Sequence, residues 1–164
     1  MNPIKRLGIL ECGETAVRVL NAVGELNQAA RQAAPMASVL IHRDADAHPW
    51  YAREADDVQQ LSAGEQAVSD ADLLACLQRA QVDTLWLGAW TPGVRADLIA
   101  ACAAAGIAVV GPDAGVVRKL SDASSLASLC AGCGPLAPGV PRCRVEVDIL
   151  ADGQGTVWPL GLRE

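Results

Sequence analysis

The sequence predicts an α/β fold, an open parallel sheet with helices on both faces, followed by a β-hairpin. Over residues 4–112, short apolar runs alternate with longer segments whose apolar residues recur at helical spacing. The short runs are continuously apolar, which is typical of strands buried on both faces of a parallel sheet. After a segment rich in glycine and proline at 131–141, polar and apolar residues alternate up to an Asp-Gly-Gln-Gly turn, as in a hairpin.

The elements of the predicted sheet domain follow one another in a regular order. A first strand covers Lys5 to Glu11 and ends at Cys12-Gly13, and a helix begins at Glu14, whose charge suits the helix dipole. A second strand covers Met36 to Ile41 and gives way to a polar loop at 42–46. The remaining elements are a strand at Val58–Leu61, a helix at Asp70–Ala80, a strand at Thr84–Ala89, a helix at Arg95–Ala105 and a strand at Ile107–Val110.

The character of the sequence changes after Gly111-Pro112. Two short helices are predicted at Ala114–Leu120 and Ala123–Cys130, with Ser121-Asp122 as turn and N-cap. Arg144 to Leu150 alternates like a half-buried strand, and Thr156 to Leu160 returns beside it. We therefore divide the chain into an α/β domain at 1–112, short helices at 113–130, and a linker with a hairpin at 131–164.

Charge and composition exclude several classes of partner. The formal net charge is −6, and lysine occurs only at Lys5 and Lys119, so the sequence lacks the basic patch that nucleic acid or an anionic membrane requires. No apolar stretch approaches the roughly 20 residues of a membrane span, and the N-terminus does not resemble a signal peptide. We expect a cytoplasmic protein with reduced cysteines.

Cys130-x-x-Cys133 with Cys143 raises the possibility of a zinc site. A structural zinc site needs four ligands, usually in two pairs, and both histidines lie far upstream. We expect no metal, and interpret these residues as buried or unreactive thiols.

Three turns at the predicted carboxyl edge of the sheet form a candidate ligand site, because open α/β sheets bind ligands there. The candidate residues are Glu11, Gly13 and Glu14, then His42 and Asp46, then Gly88 and Trp90. Each turn also has a purely structural interpretation. A G-x-G-x-x-G spacing is absent, the carboxylate of Glu14 would repel a phosphate, and the polar loop at 42–46 could simply be solvated.

Five segments share their residues with one family. In the family, the place of Leu10–Ala16 holds Ala-Asn-Arg-Gly-Glu-Ile-Ala, and Ala45-Asp46 matches an Ala-Asp. Ala55–Val58 corresponds to the family's Ala-Asp-Glu-Ala, and Gly111-Pro112 to its Gly-Pro. Glu146–Gly155 corresponds to its Glu-Val-Gln-Val-Leu followed by Asp-Gly-x-Gly. On these residues the chain resembles biotin carboxylase, the ATP-grasp component of biotin-dependent carboxylases, with the likeness running over residues 4–128. The resemblance implies a pre-ATP-grasp, Rossmann-like N-terminal domain and a hairpin from the ATP-grasp domain.

The sequence departs from the family where the resemblance implies chemistry. The family's Gly-Asp-Lys-x-x-x-Lys stands here as Ser121 to Ala127, without either lysine, and its His-Pro-Gly-Tyr-Gly loop as Trp86 to Trp90. Between Gly139 and Arg144 the glycine-rich phosphate loop and lid of the family are missing, and the sequence given stops before its magnesium ligands and its bicarbonate arginine. The resemblance is thus to a degenerate and truncated form.

Phosphoryl transfer needs metal ions or lysine and arginine to neutralise charge. We therefore expect no carboxylase activity from this chain alone, no cofactor, and a structural or assembly role in a biotin-dependent acyl-CoA carboxylase. Its partner would be a carboxylase subunit or a second copy, through a surface near Arg18, Glu25 and Trp90. The alternatives are a small-ligand or nucleotide-binding regulatory domain that uses the crevice, and a fragment complemented by a separate ATP-grasp chain.

Overall fold

The computed structural model describes residues 3–10, 13–30, 35–43, 50–61, 68–88, 95–132 and 146–163. The chain divides into two compact units, Met1–Ala127 and Ser128–Glu164. The first is called the sheet unit and the second the hairpin unit. The predicted boundaries at 112 and 130 stay predictions.

The sheet unit is a five-stranded parallel sheet with helices. In chain order its elements are β1 (Arg6–Ile9), α1 (Gly13–Ala30), β2 (Ala37–Arg43), a 3₁₀ helix (Trp50–Glu54), β3 (Asp57–Leu61), α2 (Asp70–Arg79), β4 (Thr84–Trp86), α3 (Ala96–Ala104), β5 (Ala108–Val110) and α4 (Ala114–Ser121). The next helix, α5 (Ala123–Cys130), begins in the sheet unit and ends in the hairpin unit. The strand order is β3-β2-β1-β4-β5, so β1 is central and the order reverses beside it. The predicted fold class is confirmed.

Each face of this sheet has its own apolar cluster, because alternate residues of a strand point to opposite faces. Leu7, Ile9 and Leu40 pack on α1 and on Tyr51 of the 3₁₀ helix. Val39, Ile41 and Leu85 face the other way, towards α2 and α3. Gly8 also faces α2, and a Cβ placed there would lie 2.9 Å from Val82 Cγ1, so the backbone of β1 and the segment after α2 approach closely.

A polar clamp fixes the amino-terminal ends of three strands. Arg6 donates from Nε to the carbonyl of Ala80 at 2.9 Å and from Nη2 to Asp57 Oδ2 at 2.8 Å. Asp83 Oδ2 accepts the backbone N–H groups of Lys5 and Arg6. The clamp joins the starts of β1 and β3, the end of α2 and the residue before β4, which sets the strand register at this edge.

The hairpin unit contains β6 (Glu146–Ala151) and β7 (Val157–Arg163), paired antiparallel with a bulge after Asp148. Asp152 closes the turn by accepting the N–H groups of Gln154 and Thr156. The sequence predicted a half-buried first strand, and this is wrong for the described residues, because Val147 and Ile149 are exposed by 42% and 63%. The alternation is present, but nothing described packs against the apolar side.

Two further details differ from the sequence prediction. The sequence predicted His42 in the polar loop after the second strand, but it is buried within β2, because β3 pairs with β2 as far as Arg43. The 3₁₀ helix with buried Tyr51 was not predicted at all. Among the described helices, none combines the length and the apolar character needed to cross a membrane.

Candidate ligand crevice and grooves of the sheet unit

The carboxyl ends of β1 and β4 lie side by side, at the point where the strand order reverses. Chain connections leave these two strands in opposite directions, and a crevice opens between them in folds of this type. Gly13 and Gly88 follow the two strands with φ of 68° and 61°. These left-handed conformations favour glycine at both positions.

The N-terminus of α1 carries an acidic side chain, which weakens its attraction for an anion. Glu14 lies in the first turn of α1 and forms an ion pair with Arg18, with Nη2 and Oε1 2.6 Å apart. The N-terminal end of a helix carries a partial positive charge that attracts anions, and the carboxylate of Glu14 reduces this attraction for a phosphate. Arg18, predicted as an interface residue, is exposed and paired within its own helix.

The other crevice candidates separate into described and undescribed positions. His42 is buried and, by alternation along β2, lies on the face of Leu40, towards α1. Its predicted place in a loop is therefore corrected, and its role as a ligand-binding residue stays a prediction. Glu11, Asp46 and Trp90 lie outside the described residues, so the structure brings together only Gly13, Glu14 and Gly88 at this edge.

An apolar cavity of about 260 Å³ lies at the carboxyl ends of β4 and β5. It was not predicted, except through Gly88. Its lining is Trp86, Leu87, Gly88, Ile99, Val109, Val110, Gly111 and Pro112. Because none of these side chains carries a charge, the cavity suits a small apolar group better than an ion.

A more open groove of about 570 Å³ lies where α3 and α4 meet and contains two ion pairs. Arg95 pairs with Asp70, and Arg118 Nη2 lies 2.8 Å from Asp97 Oδ1. Asp122 lines the same groove and accepts hydrogen bonds from Ser124 Oγ at 2.6 Å and the Ser125 N–H at 2.7 Å. These bonds lower its pKa to about 2, so it carries a full negative charge at neutral pH. No local pattern predicted this groove, because its arginines lie 23 positions apart, Arg95 at the start of α3 and Arg118 within α4.

A third depression, of about 370 Å³, lies between α1 and the 3₁₀ helix and includes the predicted interface residue Glu25. Its other lining residues are Leu20, Asn21, Gly24, Gln28 and Glu54. Glu25 and Glu54 are its acidic residues, and Glu54 forms an ion pair with Arg53, with Nε and Oε1 3.4 Å apart. Glu25 is therefore the carboxylate that a partner with basic side chains would contact.

The described cysteines are not arranged for metal binding. Cys76 and Cys102 are buried, and burial raises the pKa of each thiol. Cys130 is exposed, while Cys133 and Cys143 lie outside the described residues. Within the described ranges no three histidine, cysteine or acidic side chains come together as a metal site would require.

The family profile for the biotin carboxylase N-terminal domain matches residues 3–117, which is most of the sheet unit. The chain belongs to this family. Human mitochondrial pyruvate carboxylase is 28% identical over 142 residues, covering 84% of this chain and 11% of the relative. Pyruvate carboxylase 1 of Caenorhabditis elegans is 28% identical over 135 residues, covering 79% of this chain and 11% of the relative.

Solved structures agree with this membership. A complete multifunctional pyruvate carboxylase from Rhizobium etli superposes with a TM-score of 0.80 at 25% identity, over 98% of this chain and 15% of that one. The biotin carboxylase domain of a single-chain bacterial carboxylase gives a TM-score of 0.67 at 29% identity, over 78% of this chain and 29% of that one. The chain thus spans about a tenth of the length of the curated relatives it matches.

Proposed function

We propose that this chain is a non-catalytic, biotin-carboxylase-like subunit or module with an assembly role in a biotin-dependent acyl-CoA carboxylase. Its family membership and the multidomain character of its relatives support a carboxylase setting. The assembly role, rather than catalysis, rests on the junction between α4 and α5.

That junction is the observation that carries the proposal. The family pattern places two lysines where this chain has Ala123 and Ala127. Asp122 accepts hydrogen bonds from Ser124 Oγ and the Ser125 N–H, so its carboxylate caps the start of α5. Two arginines line the same groove as Asp122, and each pairs with an aspartate, Arg95 with Asp70 and Arg118 with Asp97. Without the two lysines of the family pattern, their stabilisation of a transferred phosphoryl group is lost, and each such donor is typically worth about 3–4 kcal/mol.

Two measurements test this proposal together. Purification of the protein from native cells under mild conditions should recover a biotin-dependent carboxylase subunit, identified by mass spectrometry. The isolated chain should show no ATP hydrolysis coupled to biotin carboxylation, while a catalytic biotin carboxylase assayed in parallel does. Recovery as a lone monomer, or coupled turnover by the isolated chain, contradicts the proposal.

The pairing surface is tested by charge reversal on α1. If a partner or a second copy docks on the depression that contains Glu25, Glu25→Arg should weaken the association at least tenfold in sedimentation or pull-down measurements. Lys119→Glu on α4 is a matched control, because it also reverses one charge but lies on a different helix outside that depression. Equal behaviour of the two variants argues against the α1 surface.

A second candidate function is supported by the apolar cavity beside Gly88. Its volume of about 260 Å³ lies at the lower limit of small-molecule sites, so it suits a small apolar group better than a whole nucleotide. A thermal-shift screen with short-chain acyl-CoAs, adenine nucleotides and bicarbonate tests it. An acyl-dependent shift that Ile99→Trp abolishes supports a ligand site, because the indole would fill the cavity. No shift at millimolar ligand removes this candidate.

A further inference from the structure

The apolar cavity beside Gly88 has a buried end and an exposed end. Ile99 of α3 lines the cavity and is exposed by only 5%, so its side chain forms the inner end. Val110, the last residue of β5, is exposed by 49%, and Gly111 and Pro112 after it are exposed as well. These exposures indicate that the cavity opens to solvent near Val110 and ends at Ile99.

Two glycines leave part of the cavity wall without side chains. Gly88 and Gly111 follow β4 and β5 with φ of 61° and 139°, in the region that favours glycine. A Cβ built at Gly111 would meet no atom of the described residues within 4 Å, so the space beside it is open. A ligand can therefore contact the backbone at these positions directly.

The side chains that line the rest of the cavity are apolar. Leu87 and Val109 line it and also pack against the apolar cluster on the α2 and α3 side of the sheet. Trp86 and Val110 are register partners on β4 and β5, and both of them line it too. Removing apolar surface from water strengthens binding about fourfold for each CH₂ group buried. The lining therefore favours an aliphatic ligand over a polar ligand of the same size.

The volume of the cavity limits the length of such a ligand. An apolar cavity of about 150 Å³ holds one benzene molecule, which has six carbon atoms. At the same density, the cavity of about 260 Å³ beside Gly88 holds roughly ten carbon atoms. A longer chain would leave its excess carbon atoms in water, so its affinity would stop rising with length.

A charged head group would gain no counter-charge at this cavity. Among the described residues, no basic side chain lines it, so a carboxylate or a phosphate would find no ion pair there. The formal net charge of the whole chain is −6, which repels anions such as the phosphates of coenzyme A. The electrostatics therefore favour an aliphatic chain that is joined to an uncharged head group.

We propose that the apolar cavity beside Gly88 binds the straight aliphatic chain of an acyl group with up to roughly ten carbon atoms, joined to an uncharged head group. This inference rests on the second candidate function and names its ligand class, the thioesters and esters of short-chain and medium-chain acids. The cavity selects by chain length, because Ile99 closes its inner end. The head group stays in solvent at the rim near Val110.

A series of acyl chains on one head group tests the length limit. The probes are straight-chain S-acyl pantetheines, which are uncharged thioesters, and each is titrated into the full chain by isothermal calorimetry. Affinity should rise about fourfold for each added CH₂ group and should level off at roughly ten carbon atoms. A rise that continues well beyond that length, or no dependence on length, overturns the proposal.

Substitutions at the inner end test whether Ile99 sets the limit. Ile99→Ala removes about three carbon atoms from the side chain, so the length limit should move up by about three carbon atoms. Ile99→Val removes about one and disturbs the packing less, so it should move the limit by about one and serves if the alanine variant does not fold. A limit that stays unchanged in the folded variants overturns the proposal.

A matched pair of tryptophan variants tests the exposed end. Val110→Trp should obstruct the opening and weaken binding of S-octanoyl pantetheine at least tenfold. Val116→Trp is the control, because Val116 lies on α4 outside the cavity and is exposed to a similar extent. Equal binding by the two variants means that the chain binds elsewhere on the surface and overturns the proposal.

Three carriers of the same octanoyl chain test the head group and separate failure of this inference from failure of the functions proposed above. S-octanoyl pantetheine should bind at least as tightly as octanoyl-CoA or free octanoate, and tenfold tighter binding of either charged compound overturns the proposal. No binding by any acyl compound at millimolar concentration removes the second candidate function as well. Binding without a length limit removes only this inference. The assembly role is tested separately, because purification from native cells needs no added ligand.

Discussion

The sheet unit and the hairpin unit are built from similarly apolar sequence, yet they use it in opposite ways. In the sheet unit, Leu40, Leu73, Leu85 and Leu98 are fully buried between the sheet and its helices. In the hairpin unit, Ile149, Leu160 and Leu162 are each more than half exposed. Apolar content therefore predicts strands, while burial depends on whether a second layer is present.

Shortening one apolar side chain in each unit should separate the two units most clearly. Leu85→Ala on β4 removes a fully buried side chain and should lower the free energy of unfolding by about 2–5 kcal/mol, because it leaves a cavity. Leu162→Ala on β7 should change it by less than about 0.5 kcal/mol, because Leu162 is exposed. Urea unfolding followed by circular dichroism measures both. Similar losses would mean that the hairpin apolar face is covered in solution.

A smaller effect is expected from adding a methyl group at two glycines of the sheet unit. Gly8→Ala should cost about 1–3 kcal/mol, because its Cβ would stand 2.9 Å from Val82 Cγ1. Gly24→Ala in α1 meets no atom within 4 Å and should stabilise by about 0.5–1 kcal/mol. Thermal and urea unfolding of the pair should therefore shift in opposite directions. A neutral Gly8→Ala would show that β1 and the segment after α2 are less closely packed.

Thiol labelling compares the units without a substitution. Cys76 and Cys102 in the sheet unit should react with iodoacetamide about tenfold or more slowly than Cys130, because burial raises their pKa and removes the reactive thiolate. Peptide mapping after timed labelling gives the three rates, and labelling in urea is the control that should equalise them. Equal rates in the folded protein would indicate local opening of α2 and α3.

The smallest effect is local and depends on pH. The pKa of Asp122 is lowered from 3.8 to about 2, so its capping contribution is fully present above pH 3.8 and is lost as the pH falls through about 2. The Ser125 amide resonance should titrate with that midpoint, since its N–H donates to Asp122. Asp122→Asn retains an acceptor but should abolish this titration. A midpoint near 3.8 would show that the cap is not formed.

Most elements of the sheet unit were predictable because their signals are local. The apolar spacing of α1 and the Asp122 cap lie within a few residues of sequence. The burial of His42 was not predictable, because it depends on β3 pairing with β2. The 3₁₀ helix was missed because five residues are too few to show a period. The cavity by Gly88 and the groove of Arg95 and Arg118 arise from distant segments, so no local pattern reports them.

The polar clamp around Arg6 holds the sheet unit together at the rim opposite its variable turns. It ties Arg6, Asp57, Ala80 and Asp83 together at the amino-terminal rim, opposite the rim where the crevice opens. Sequence changes in the turns at the far rim therefore leave these bonds untouched. During evolution such a scaffold tolerates wholesale replacement of those turns, and an engineer should be able to graft new loops there without retuning the framework.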